Sequence, residues 1–195
     1  AATIKELGAE KATTLNVTAG VKGLDIATSD FAKVQTATLK TDGHLNFGAN
    51  NLLDIADITV SGTNAKSQLT IDKLGANTVT HDVKLTATGL TAGLNAGTVD
   101  SKSGKITLDV SGVTGNVTLG NITANSGITL TATNLGGNLN APAPAVAPTL
   151  TTTTGKIDVD VSNAKGTVAL GALTTNGSGD VTLNASSTIG AVTTG

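Results

Sequence analysis

Apolar and polar positions alternate along Lys105–Val110. Ile106, Leu108 and Val110 fall on one side, and Lys105, Thr107 and Asp109 on the other. A period of two predicts a strand with one buried face. A turn over Ser111–Gly115 follows, then a shorter alternation, Asn116–Leu119, with Val117 and Leu119 inward. The same order of residue types returns at Gly155–Leu170, and degenerate copies open at Gly127 and Gly179. Copies starting near Gly104, Gly127, Gly155 and Gly179 lie about 23 to 28 residues apart, the spacing of one solenoid coil per repeat.

The pattern predicts further strands at Gly127–Thr133, Lys156–Val161, Thr167–Leu170 and Asp180–Asn184. In the first half it predicts strands at Thr14–Thr18, Leu24–Ala27, Thr36–Lys40, His44–Phe47, Gln68–Asp72 and Asp82–Thr88. Asp42-Gly43 predicts a turn in which glycine supplies a positive φ. Lys73–Asn77 predicts a second turn. The phase slips between Ile55 and Ile58, which predicts a corner or bulge. Gly89–Gly97 is spaced by glycines, with Leu90 and Leu94 as inward anchors. Ala1–Lys11 alone has helical flavour, enough for a single turn or a fraying end.

Short strands at this spacing predict an all-β fold. The in-register repeat favours a parallel β-helix, or β-solenoid, and an antiparallel β-sandwich is the alternative. Residues 1–139 form the solenoid, with irregular rungs in the first half, and residues 149–195 continue it. Between them Asn140–Pro148 holds all three prolines, which predicts an extended loop or linker.

Composition sharpens the choice. Aromatics are 1 % of the 195 residues, Phe31 and Phe47 alone, and Cys, Met, Trp, Tyr and Arg are absent. A core of small aliphatic side chains is thin, which suits stacked rungs better than thick layers. Only 13 % of residues are charged, and the mean hydropathy of +0.16 argues against disorder, which couples low hydropathy to high charge.

With a net charge of −2 and neither arginine nor aromatic platforms, nucleic-acid binding is excluded. No apolar run reaches the roughly 20 residues of a membrane-spanning helix. The chain opens Ala1-Ala2-Thr3 without Met or a signal peptide, so the expectation is a processed product or a piece of something longer.

Candidate chemistry is sparse. Asp158 and Asp160, at i and i+2, project from one strand face, and two such carboxylates are oxygen ligands for a hard cation. Asp180 joins them through Asn176–Leu183, the stretch closest to a calcium-binding nonapeptide, although its Asp stands one position early. Asp54 and Asp57 form a weaker pair. The ordinary reading of all of these is a solvated outer face. His44 and His81 each have an Asp near, Asp42 and Asp82, but nothing gathers them into a catalytic constellation, and the expectation is no enzyme. A secreted carbohydrate enzyme is a minor alternative that lacks aromatic platforms. Thr-x-Thr pairs at Thr36/Thr38, Thr86/Thr88, Thr129/Thr131 and Thr131/Thr133 raise water ordering of the ice-binding kind as another. Such a ladder is broken at Lys105/Thr107 and Lys156/Asp158. Asn-x-Ser/Thr occurs at Asn16, Asn116, Asn121, Asn176 and Asn184, as expected by chance in so Asn- and Thr-rich a chain.

The segments Thr13–Thr18 (TTLNVT) and Gly179–Ala185 (GDVTLNA) resemble bacterial surface-layer proteins exported by type I secretion. The G-x-[IV]-T-L-x-A rungs also resemble the shafts of filamentous-haemagglutinin-like adhesins. The first resemblance implies an extracellular, self-assembling lattice subunit with calcium as the assembly ion. Its partners would be copies of itself and, on the cell surface, glycans or lipopolysaccharide. The second implies a shaft that binds another surface.

Overall fold

The structure, a computed structural model, describes residues 1–8, 11–27, 29–31, 33–48, 51–52, 55–76, 80–140, 147–188 and 190–194. Every strand pair among them is parallel and none of these residues is helical. The chain is a β-solenoid of about seven turns, and the antiparallel sandwich is excluded.

Each turn visits three faces. The first face is one eight-stranded sheet: β3 (Thr14–Ala19), β6 (Thr36–Thr41), β9 (Asp57–Gly62), β11 (Val83–Thr88), β13 (Lys105–Asp109), β16 (Gly127–Thr131), β18 (Lys156–Asp160) and β21 (Val181–Asn184). The second face runs through β1 (Ala2–Ile4), β4 (Leu24–Ile26) and β7 (His44–Asn46), then the first halves of β10 (Gln68–Ala76) and β12 (Gly93–Ser101). It continues through β14 (Val117–Leu119), the single bridge at Leu139, β19 (Val168–Leu170) and β22 (Val192–Thr194). The third face holds β8 (Asn51–Leu52), the second halves of β10 and β12, and then β15 (Ile122–Ala124), β17 (Leu150–Thr152) and β20 (Leu173–Thr175). In the first turns β2 (Leu7–Gly8) pairs with β5 (Ser29–Asp30) at the same place in the coil.

The alternation seen in the sequence decides which side chains enter the core. On the first face Leu15, Ala37, Ile58, Leu85, Leu108, Leu130, Val159 and Leu183 stand beside one another in register, one per turn. A second column, Leu24, Leu45, Leu69, Leu94, Val117, Leu139, Val168 and Val192, lines the second face. Between the end turns, every member of both columns is at most 2 % exposed. Because rungs repeat about every 4.8 Å, like side chains stack on like, and a column of Leu, Ile and Val fills the narrow interior without aromatics. Phe31 and Phe47 are the exception. They meet edge to face, with ring centroids 6.4 Å apart, and both are buried.

Where the chain turns between faces, backbones come too close for a Cβ. A methyl on Gly115 would lie 2.4 Å from the Gly93 nitrogen, one on Gly137 2.5 Å from the Gly115 oxygen, and one on Gly166 2.4 Å from the Gly137 oxygen. This glycine column marks the corner that leads onto the second face, and the repeat glycines Gly104, Gly155 and Gly179 mark the corner that leads onto the first.

Several expectations are corrected. The Ala1–Lys11 segment is strand, not helix, over Ala2–Ile4 and Leu7–Gly8, because its backbone has the next rung to pair with. Lys73–Asn77 is no turn over its described part, since β10 runs on to Ala76 and Lys73–Ala76 pair with Thr98–Ser101 of β12. Gly43 is absent from the positive-φ residues. It is required by proximity, as a Cβ there would lie 2.7 Å from the Gly20 oxygen. The copy expected to open at Gly127 is shifted by one residue: Gly127 pairs with Lys105 and Lys156, and Ser126 occupies the corner where the others have glycine. The phase slip at Ile55–Ile58 is a corner before β9, with both residues fully buried. Six residues of the Pro-rich segment, together with Leu53 and Asp54, lie outside the described residues. Rungs are offset by 21 residues where Thr36 meets Asp57 and by 29 where Gly127 meets Lys156. The longer coil contains that segment.

Candidate functional site

The polar positions of the first-face strands form two outward ranks. One holds Thr14, Thr36, Asp57, Lys84, Thr107, Thr129, Asp158 and Thr182, and the other Asn16, Thr38, Thr59, Thr86, Asp109, Thr131, Asp160 and Asn184. Single threonines sit over threonines in places, as Thr38, Thr59 and Thr86 do and Thr107 and Thr129 do, but within these ranks no Thr-x-Thr pair sits over another, and charges interrupt both. Lys84 Nζ pairs with Asp57 Oδ2 at 3.4 Å and Lys156 Nζ with Asp158 Oδ2 at 2.5 Å.

The three candidate cation ligands fall at the end of this face. Asp158 and Asp160 point outward from β18, both half-buried. Asp180 precedes β21, is exposed, and stands beside Lys156 in the ladder, since Ile157 pairs with Val181. An ammonium group is thus already seated on Asp158. Asp160 is committed to its own turn: Oδ1 accepts the Ser162 N–H at 2.9 Å. Hydrogen bonds from the Ser162 side chain and backbone hold the Asp160 carboxyl below the usual carboxylate value. Among the described residues no group of three or more His, Cys, Asp or Glu gathers as a metal site.

The histidines are also apart. His44 pairs with Asp25 rather than Asp42, Nε2 to Oδ2 at 3.3 Å, and Asn46 Nδ2 donates to the other carboxylate oxygen at 3.2 Å. The His44 hydrogen bond above all keeps the Asp25 carboxyl below its ordinary value; desolvation opposes it, and the Asn46 bond adds to the lowering. Asp42 instead accepts the Thr63 hydroxyl at 2.5 Å. His81 is half-buried, with Nδ1 2.7 Å from the backbone oxygen of Asp82. Among the described residues, no nucleophile, base and orienting acid meet at either histidine.

The polar side chains serve the stack. Asn116 Oδ1 accepts the Asn138 N–H at 3.0 Å, and Asn138 Oδ1 accepts the Thr167 N–H at 2.8 Å. Each asparagine thus binds the next turn at the same corner. Asn121 does the same for Thr149 at 3.1 Å. Buried hydroxyls tie other corners: Thr152 Oγ1 donates to the Gly155 carbonyl at 2.7 Å, and Ser101 Oγ donates to the His81 carbonyl at 2.8 Å while accepting the Gly104 N–H at 3.0 Å. Asn116 and Asn121 stood out in the sequence only as glycosylation acceptors. The repeat offset, carried one face further, would have revealed them as ladder residues.

The third face went unread because its strands are three residues long in the later turns and carry too few apolar positions for a period to register. On it Thr123, Thr151 and Thr174 form one outward rank. These geometries define a rigid β-solenoid whose reactive groups are dispersed along its outside. The chain matches no protein-family model, no curated protein and no solved structure.

Proposed function

We propose that this chain is a structural module of an exported, extracellular protein, a surface-layer subunit that assembles with copies of itself. The observation that carries the reading is the ladder itself. Three faces of parallel strands, locked by corner glycines and asparagines, make a stiff body whose columns are filled along its length. Such a body suits load-bearing contacts, because adjacent turns hold one another in place along the stack. The resemblance at Thr13–Thr18 and Gly179–Ala185 supports the surface-layer form of this role. Calcium fits it as an ion shared between copies, with outward carboxylates such as Asp158, Asp160 and Asp180 supplying oxygens that a single chain does not gather. In this role the module performs no catalysis, and glycans or lipopolysaccharide of the cell surface are its further partners.

Negative-stain electron microscopy with and without calcium tests this reading. Two-dimensional sheets or tubes that form with calcium and dissolve in chelator are expected. Isolated rods that bind cells would support the adhesin-shaft reading instead, and dispersed particles under every condition would overturn assembly.

A further inference from the structure

We propose that the third face, over β15, β17 and β20, is a water-ordering surface that adsorbs to ice. Thr123, Thr151 and Thr174 stand in register on successive turns, and among the described residues their hydroxyls have no hydrogen-bond partner. Beside this rank Thr149 follows Asn121, whose amide oxygen holds the Thr149 N–H at 3.1 Å. In the sequence Thr149, Thr151 and Thr153 read Thr-x-Thr-x-Thr, with Thr149 and Thr153 flanking β17 on either side.

The spacing of this array is set by the backbone. Neighbouring turns are about 4.8 Å apart, and residues i and i+2 of a strand about 6.6 Å apart. The first is close to the shorter oxygen repeat on the prism face of hexagonal ice, and the second is shorter than the longer repeat. Threonine is stiff at χ1, so hydroxyl and methyl keep their positions without further ordering cost. A rank of immobile, unpaired hydroxyls with methyls between them holds waters at regular intervals, and those waters become part of a growing crystal.

Charge separates this face from the first. An ion keeps its own hydration shell, and the first face carries two ion pairs together with Asp109 and Asp160. On the third face these ranks are neutral from β15 to β20, and the nearest carboxylate in the Thr123 rank is Asp100, one turn earlier. A protein partner fits poorly. Three short strands offer on the order of 200 Å², against about 800 Å² per partner in a standard interface, and they supply neither the aromatic nor the arginine anchors that concentrate binding energy. Crystalline polysaccharide is disfavoured by the same lack of aromatics.

Thermal hysteresis, ice-crystal habit and partition into slowly growing ice, measured on the full chain, test the proposal. Faceted crystals and enrichment in the ice fraction are expected. The double variant Thr123→Lys/Thr151→Lys should lose both, while Thr107→Lys/Thr129→Lys on the first face keeps them. Thr151→Val, which preserves shape, should lower the hysteresis at an unchanged melting temperature. Rounded crystals and exclusion from ice by the unmodified chain would overturn the proposal, as would equal losses in the two lysine variants.

Discussion

The side chain of Asn140 stands in for a strand: its Oδ1 accepts the backbone N–H of Leu119 at 2.7 Å. On its other side Nδ2 donates to the Ala169 carbonyl at 3.3 Å. Leu139 keeps its place in the second-face column, but one residue later the ladder there passes through an amide instead of a strand. Asn140 is 3 % exposed with φ near 56°, a left-handed geometry that asparagine tolerates better than most residues. Asn140→Ala removes both hydrogen bonds, strands buried backbone groups and strains φ. The expected loss is about 2–4 kcal/mol of stability, read by urea unfolding. Asn140→Gly removes the same amide but relieves φ, so it should be less harmful by about 1 kcal/mol. Equal stability of both variants with the parent would refute the bridging role.

Gly155 tests the corners. A Cβ there would lie 1.9 Å from the Ser126 oxygen and 2.5 Å from the Gly127 nitrogen, all backbone that cannot move without separating two rungs. Gly155→Ala should therefore cost more than about 3 kcal/mol, at the severe end of single substitutions. Gly20 is the control, since nothing lies within 4 Å of a Cβ there and its φ is ordinary. Gly20→Ala should leave the melting temperature almost unchanged.

Leu108 measures how far the turns support one another. It is fully buried between Leu85 and Leu130. Leu108→Ala should cost about 2–5 kcal/mol. In a nearest-neighbour stack the damage is local first, so amide exchange should rise most in β11, β13 and β16. Uniform loss of protection along all eight first-face strands would instead mean a single cooperative unit.

The parts of this fold that were legible in the sequence are those where one strand carries its own period. Ile106, Leu108 and Val110 declare an inward side without reference to anything else, and so do the matching residues of β18. The copies also revealed that strands stack, because Lys105 and Lys156 open rungs of the same inward and outward order. What stayed hidden is information held between turns. Nothing local distinguishes the Lys73-Leu74-Gly75 stretch from a turn, and pairing with the neighbouring turns, Asn51–Leu52 on one side and Thr98–Asp100 on the other, makes it strand. Ser126 in a glycine column could not be seen without the register. The candidate carboxylates were legible as outward residues, but Lys156 on Asp158 was not, although it lies two positions away in the same strand. The Asp25–His44 pair joins residues 19 apart, one turn of this coil, and sequence proximity pointed to Asp42 instead.

Acid should weaken the stack through Asp25 and Asp160. Both carboxyls titrate below the ordinary aspartate value of 3.8 when folded. The unfolded chain therefore takes up protons at a higher pH than the native one. The stabilisation these groups supply is fully present well above pH 3.8 and is lost as pH falls through that value and the lower folded pKa values. Urea midpoints should be level from neutral pH to about pH 5 and then decline steadily below pH 4. Asp160→Asn removes the charge that favours the Ser162 hydrogen bonds. It should lower the midpoint modestly at neutral pH and flatten the acid decline, because one of the two titrating groups is gone. A variant whose acid decline is as steep as the parent's would mean that Asp160 contributes nothing to it.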